Sequence, residues 1–97
     1  MIYSFHPGVE KDISDAAEHL ELHGSAKTAA RFVAEFERVA NLLVQVPGLG
    51  TPMSKGRRIQ PFKIFRYSVV YRLVDASVRI LVVRHRRRSP SFGGERR

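Results

Sequence analysis

Residues 67–85 read Tyr67-Ser68-Val69-Val70-Tyr71-Arg72-Leu73-Val74-Asp75-Ala76-Ser77-Val78-Arg79-Ile80-Leu81-Val82-Val83-Arg84-His85. Two runs rich in Val, Ile and Tyr flank the pair Asp75-Ala76, a pattern that predicts an antiparallel hairpin with a tight turn. In the second run Ile80 and Val82 are apolar, and so are their neighbours Leu81 and Val83. A strand apolar on both faces is expected at the centre of a sheet, covered on both sides at its middle. Just upstream, Arg58-Ile59-Gln60-Pro61-Phe62-Lys63-Ile64 is a weaker strand. Pro61 interrupts it and predicts a place near a sheet edge. Together these runs predict a three-stranded meander, preceded by a loop-like stretch from Gly50 to Gly56.

Towards the N-terminus the period changes. Ile2-Tyr3-Ser4-Phe5 is a short β-prone run ended by His6-Pro7, and Pro7 suits the first turn of a helix. Val9, Ile13, Ala16, Ala17 and Leu20 then fall on one helical stripe, with Glu10, Asp12 and Asp15 favouring the N-terminal end. Gly24 stops this helix, and Ser25 is placed to cap the next. The second stripe is Ala29, Phe32, Val33, Phe36, Val39, Ala40 and Leu43, broken after about Val46 by Pro47, Gly48 and Gly50. The short link predicts an antiparallel helix hairpin whose stripes cover one face of the sheet. Phe32 and Phe36 are read as core. The expected fold is therefore α+β: an N-terminal strand, then an antiparallel helix hairpin packed on a mainly antiparallel sheet that ends in the C-terminal three-stranded meander.

Ninety-seven residues suit one domain, so residues 1–97 are expected to form a single unit. Residues 89–97, polar and glycine-bearing, are expected to be a flexible basic tail. The absence of cysteine excludes disulfides, thiolate-bound metals and a thiol nucleophile. The longest apolar run is Ile80–Val83, far short of a membrane span. No secretion signal is read at the start, so a cytoplasmic location and no membrane partner are expected. The net charge of +8 is unevenly distributed. Residues 1–50 hold four basic against seven acidic residues, whereas residues 51–97 hold thirteen basic against two acidic. Thirteen of the seventeen cations are arginine, whose planar fork suits phosphates and carboxylates. A polyanion or an acidic protein surface is the expected partner of the second half.

No glycine-rich phosphate loop or paired-carboxylate motif is present. His6, His19, His23 and His85 lack metal-site spacing beyond the i, i+4 pair His19/His23, which has no third ligand, so neither metal nor cofactor is expected. The distinctive segment is Val83-Arg84-His85-Arg86-Arg87-Arg88-Ser89-Pro90-Ser91-Phe92. A histidine among arginines at a strand end could cleave RNA, with His85 as base and Arg84, Arg86 and Arg66 stabilising charge on the phosphorane. The segment offers no obvious second proton-transfer group. On the residues alone, a binding surface of Arg57, Arg58, Arg66, Arg84, Arg86, Arg87, Arg88 and Phe92 is favoured over catalysis.

The order and spacing of Tyr3-x-Phe5-His6-Pro7, Arg31-Phe32, Glu35-Phe36, Pro47-Gly48-x-Gly50-x-Pro52, Phe65-Arg66-Tyr67-Ser68-Val69-Val70-Tyr71-Arg72 and His85-x-Arg87-x-x-Pro90 resemble the RelE/ParE toxin superfamily over nearly the whole chain. The resemblance implies the toxin of a bacterial type II toxin–antitoxin module, held in a hetero-oligomer by a ParD-like antitoxin with an acidic or amphipathic segment. RelE-like members cleave mRNA on the ribosome, and ParE-like members poison DNA gyrase. Several RelE-like members use a C-terminal tyrosine where this chain has Phe92, which lacks a hydroxyl. The closing motif looks more like the ParE or plasmid-stabilisation branch. The expected function is gyrase inhibition, with ribosome-dependent mRNA cleavage as the alternative.

Overall fold

The computed structural model describes residues 3–97. Its elements are β1 (Tyr3–Phe5), α1 (Gly8–His23), α2 (Ala26–Gln45), β2 (Thr51–Pro52), β3 (Arg57–Pro61), β4 (Tyr67–Val74) and β5 (Ser77–His85). Ile2, read above as part of the first strand, lies outside the described residues. The five strands form one sheet in the order β1-β5-β4-β3-β2. β3, β4 and β5 make the expected antiparallel meander, and β1 runs parallel to β5 at the other edge. β5 lies inside the sheet, between β1 and β4 and next to the middle strand, and Ile80, Leu81, Val82 and Val83 are all buried. Asp75 and Ala76 take φ of 50° and 64°, the left-handed pair of a two-residue hairpin loop whose twist matches the strands.

The helix hairpin covers one face. Ser25 caps α2 by accepting a hydrogen bond from the Thr28 N–H at 3.1 Å. The core beneath contains Phe32, Phe36, Val39, Leu43, Val69, Tyr71, Val78 and Ile80. The Tyr71 hydroxyl donates to the Pro47 carbonyl (2.6 Å) and accepts from the Gly50 N–H (2.9 Å), which fixes the segment leaving α2. Arg58 donates to the Gly48 and Gly50 carbonyls from the adjacent strand. With both ends tied, the stretch expected to be loop places Thr51 and Pro52 opposite Ile59 and Arg58 as β2.

Glu35 is buried on α2 yet charged. Its carboxylate accepts from Arg38 (2.7 and 2.9 Å) and from the Lys63 N–H (2.7 Å), tethering the β3–β4 connection to the helix. The Arg38 hydrogen bond is the main cause holding this carboxyl below its ordinary value near 4.5. A lowered folded-state value means the stabilisation is present above the ordinary value and disappears as pH falls below it. Thermal melts from pH 7 to pH 3 are expected to show stability falling below about pH 4.5, with a shallower fall in Glu35→Gln.

The C-terminal segment departs from the sequence reading. Residues 89–97 were expected to form a mobile tail, but they fold back in successive turns over the sheet face opposite the helices. Arg84 donates to the Pro90 and Phe92 carbonyls, and Arg57 to those of Gly93, Gly94 and Arg96. Val70, Leu81 and Val82 on that face would otherwise meet water, and Phe92 packs against them. Gly93 has φ of 77°, and a Cβ there would sit 2.4 Å from Val82 Cγ2, so this close approach needs glycine. The polar composition suggests disorder, but carbonyl acceptors for strand arginines and one partly buried aromatic ring suffice to hold the segment down.

Candidate functional site

The open edge of β5 organises the candidate site. β1 pairs with β5 only from Val78 to Ile80, so the next backbone groups along that edge need other partners. Asp12 on α1 accepts from the Val83 N–H at 3.0 Å, and Arg96 donates to the Leu81 carbonyl at 3.1 Å. Asp12 and Arg96 also bond each other through both carboxylate oxygens, at 2.6 and 3.2 Å. The side chains are only 3% and 12% exposed, so this is a buried ion pair that completes the strand edge. The Arg96 guanidinium packs against Gly8, where a Cβ would lie 2.6 Å from its Cζ. Sequence reasoning assigned Asp12 to the helix dipole and Arg96 to a tail. The available signal was position: Val9, Asp12 and Ala16 share the helical face that is actually buried.

Beside this pair a cleft of about 200 Å³ is lined by Asp12, Asp15, Ala16, Tyr67, Val83, Arg84, His85, Arg88 and Phe92. Four of the residues singled out from sequence, Arg84, His85, Arg88 and Phe92, therefore meet. The His85 ring lies edge-on to Tyr67 with centroids 5.1 Å apart, and its Nδ1 accepts from the Arg87 N–H at 3.0 Å. Burial raises the Tyr67 hydroxyl's pKa above its ordinary value, so it stays protonated at neutral pH. Burial, with a smaller contribution from Arg57, lowers that of Arg84. The Phe92 ring receives Arg88 at 4.0 Å and Arg96 at 5.1 Å from its centroid, as cations on an aromatic face.

The remaining candidates lie elsewhere. Arg66, Arg86 and Arg87 are exposed; the Arg86 N–H donates to the Arg66 carbonyl, which brings the β3–β4 connection beside the end of β5. Arg57 and Arg58 spend their guanidinium groups on main-chain carbonyls. The proposed base His85 and its charge-stabilising partners Arg66 and Arg86 thus do not line one cleft. Among the described residues, no group of three or more His, Asp or Glu could hold a metal ion, and no helix is long and apolar enough to cross a membrane.

Residues 3–90 match the sequence model of a family described as the ParE toxin of the type II toxin–antitoxin system parDE. The chain is 29% identical over 86 residues to Toxin ParE2 from two strains of Mycobacterium tuberculosis, covering 89% of this chain and 82% of each relative. In fold it matches a chain of the chromosomal ParDE TA system from P. aeruginosa with a TM-score of 0.78 at 18% identity, covering 88% of this chain and 95% of that one.

Proposed function

The chain belongs to the ParE toxin family of type II toxin–antitoxin systems, and from that premise we propose that it arrests growth by engaging DNA gyrase until a cognate antitoxin neutralises it. The family match over residues 3–90 carries this reading. The chemistry at the end of β5 supports contact rather than cleavage. Phe92 has no hydroxyl, the Tyr67 hydroxyl holds its proton more tightly than usual, and His85 Nδ1 is already taken by the Arg87 N–H. Arg66, Arg86 and Arg87 are exposed beside them, free to meet an acidic protein surface. Arginines of this kind speed encounter and set specificity through charge complementarity.

The antitoxin is a ParD-like protein whose acidic or amphipathic segment covers the basic second half. The P. aeruginosa ParDE system supports such a partner. Purified protein added to gyrase is expected to inhibit supercoiling in proportion to dose. Arg86→Glu combined with Arg87→Glu should weaken inhibition by about tenfold or more, since like charges facing each other across a contact cost several kcal/mol. Unchanged supercoiling at excess toxin overturns the gyrase reading.

One observation favours the second reading, ribosome-dependent mRNA cleavage: His85 and Tyr67 line a common cleft with Arg84. On that reading primer extension on translated mRNA gives A-site cuts that vanish in His85→Ala.

A further inference from the structure

We propose that the sheet face opposite the helices carries a phosphate-binding site between the strands and the C-terminal segment. Arg57 is the register partner of Arg72, and Arg72 is the register partner of Arg79. Three arginines therefore stand in a row across three adjacent strands, on one face. Directly opposed like charges destabilise a sheet, so such a row calls for an anion. For Arg57 the neighbouring main chain satisfies hydrogen bonds without supplying one. Arg57 donates to the carbonyls of Gly93, Gly94 and Arg96. Those carbonyl dipoles leave the Arg57 charge in place. Arg72 Nε is buried and, among the described residues, has no hydrogen-bond partner, so the middle arginine of the row lacks the partner that buried polar atoms ordinarily have.

Arg57 and Arg72 of this row border a cavity of about 540 Å³, lined also by Lys55, Gly94, Glu95, Arg96 and Arg97. Glu95 is the one acid among the lining residues, while Arg96 is already neutralised by Asp12. Lys55, held at φ of 62° in the turn before β3, adds a further cation at the rim. A multiply charged tetrahedral anion matches planar guanidinium forks converging from several directions. The cavity has the volume of a small-molecule pocket, larger than a lone phosphate fills. The phosphate is therefore one borne on a larger group, either a soluble polyphosphate compound or the backbone of a nucleic acid strand. This site is separate from the β5-end surface assigned to gyrase, and either can fail without the other.

The test is calorimetric titration of the intact protein at constant ionic strength with inorganic pyrophosphate and, separately, with a short single-stranded oligonucleotide lacking terminal phosphates. Wild-type protein is expected to bind pyrophosphate saturably, and Arg72→Gln to bind it about tenfold more weakly or worse, the loss of one charge-assisted hydrogen bond. Arg72→Gln relieves repulsion within the row, so it should fold, and circular dichroism checks that it does. Arg31→Gln, an exposed change of equal charge on α2, should bind as wild type. Oligonucleotide binding that Arg72→Gln abolishes and pyrophosphate competes away identifies backbone phosphate as the source; pyrophosphate binding alone identifies a soluble compound. The proposal is overturned if pyrophosphate does not saturate, or if Arg72→Gln and Arg31→Gln weaken binding equally. The latter result would mean that net charge alone attracts the anion.

Discussion

Replacing Asp12 with alanine should lower the unfolding midpoint by about 12–24 °C, corresponding to about 3 kcal/mol in a domain of this size. Three losses coincide. Arg96 keeps its charge in a place where its side chain is 12% exposed and its partner is gone. The Val83 N–H, on the stretch of β5 that β1 does not cover, loses its acceptor. The contact joining α1 to the C-terminal segment disappears with them, so residues 89–97 should become protease-sensitive at temperatures where the rest of the chain is still folded. Arg96→Leu should be similarly costly, because it leaves the Asp12 carboxylate, 3% exposed, without its cation and the Leu81 carbonyl without its donor. The double substitution should cost less than the sum of the two singles, by an interaction term of about 1–3 kcal/mol. Thermal melts of the four proteins in this cycle measure that term. Additive effects would mean that the ion pair does not hold the segment.

Phe32→Ala should be comparably severe, at about 3–5 kcal/mol. Phe32 is fully buried at the centre of an aromatic group, with ring centroids 5.2 Å from Phe62, 5.4 Å from Phe65 and 4.8 Å from Tyr67. Its ring joins α2 to the two ends of the β3–β4 connection, and Tyr67 in turn meets His85. Truncation therefore leaves a cavity and also loosens the support under Arg66 and the β5 end. Denaturant unfolding should show the lost stability, and, on the function proposed above, inhibition of gyrase should be weakened as well at temperatures where the variant remains folded. Phe32→Leu, which keeps most of the volume, should recover much of both.

The legible parts of this structure are those governed by local period or local capping. The hairpin at Asp75-Ala76, the two helical stripes, Ser25 as a cap and the double-faced burial of Ile80–Val83 all follow from residues within a few positions of one another. The pairing of β1 with β5 left no local trace, because parallel partners distant in sequence carry no turn between them. The same holds for Asp12 and Arg96, 84 positions apart. The Arg84–Arg88 run looked like one patch in sequence. The fold divides it instead: Arg84 is bound to tail carbonyls, Arg88 lies over Phe92, and Arg86 and Arg87 remain exposed. The arginine row of Arg57, Arg72 and Arg79 depends on strand register, which composition does not encode.

The parallel pairing at the sheet edge also governs when the protein can first become dangerous during its own synthesis. Tyr3 must wait for Val78, its partner 75 residues downstream. At bacterial translation rates of ~5–20 residues per second that is a delay of roughly 4–15 s. Throughout it the newborn chain has two helices with no complete platform to rest on, and a chain released early would lack the middle of its sheet. Long-separated strand partners also assemble slowly once both are present. Between translation of the first strand and closure of the last the chain has no complete sheet, so any surface built on that sheet exists only once nearly the whole chain has been made.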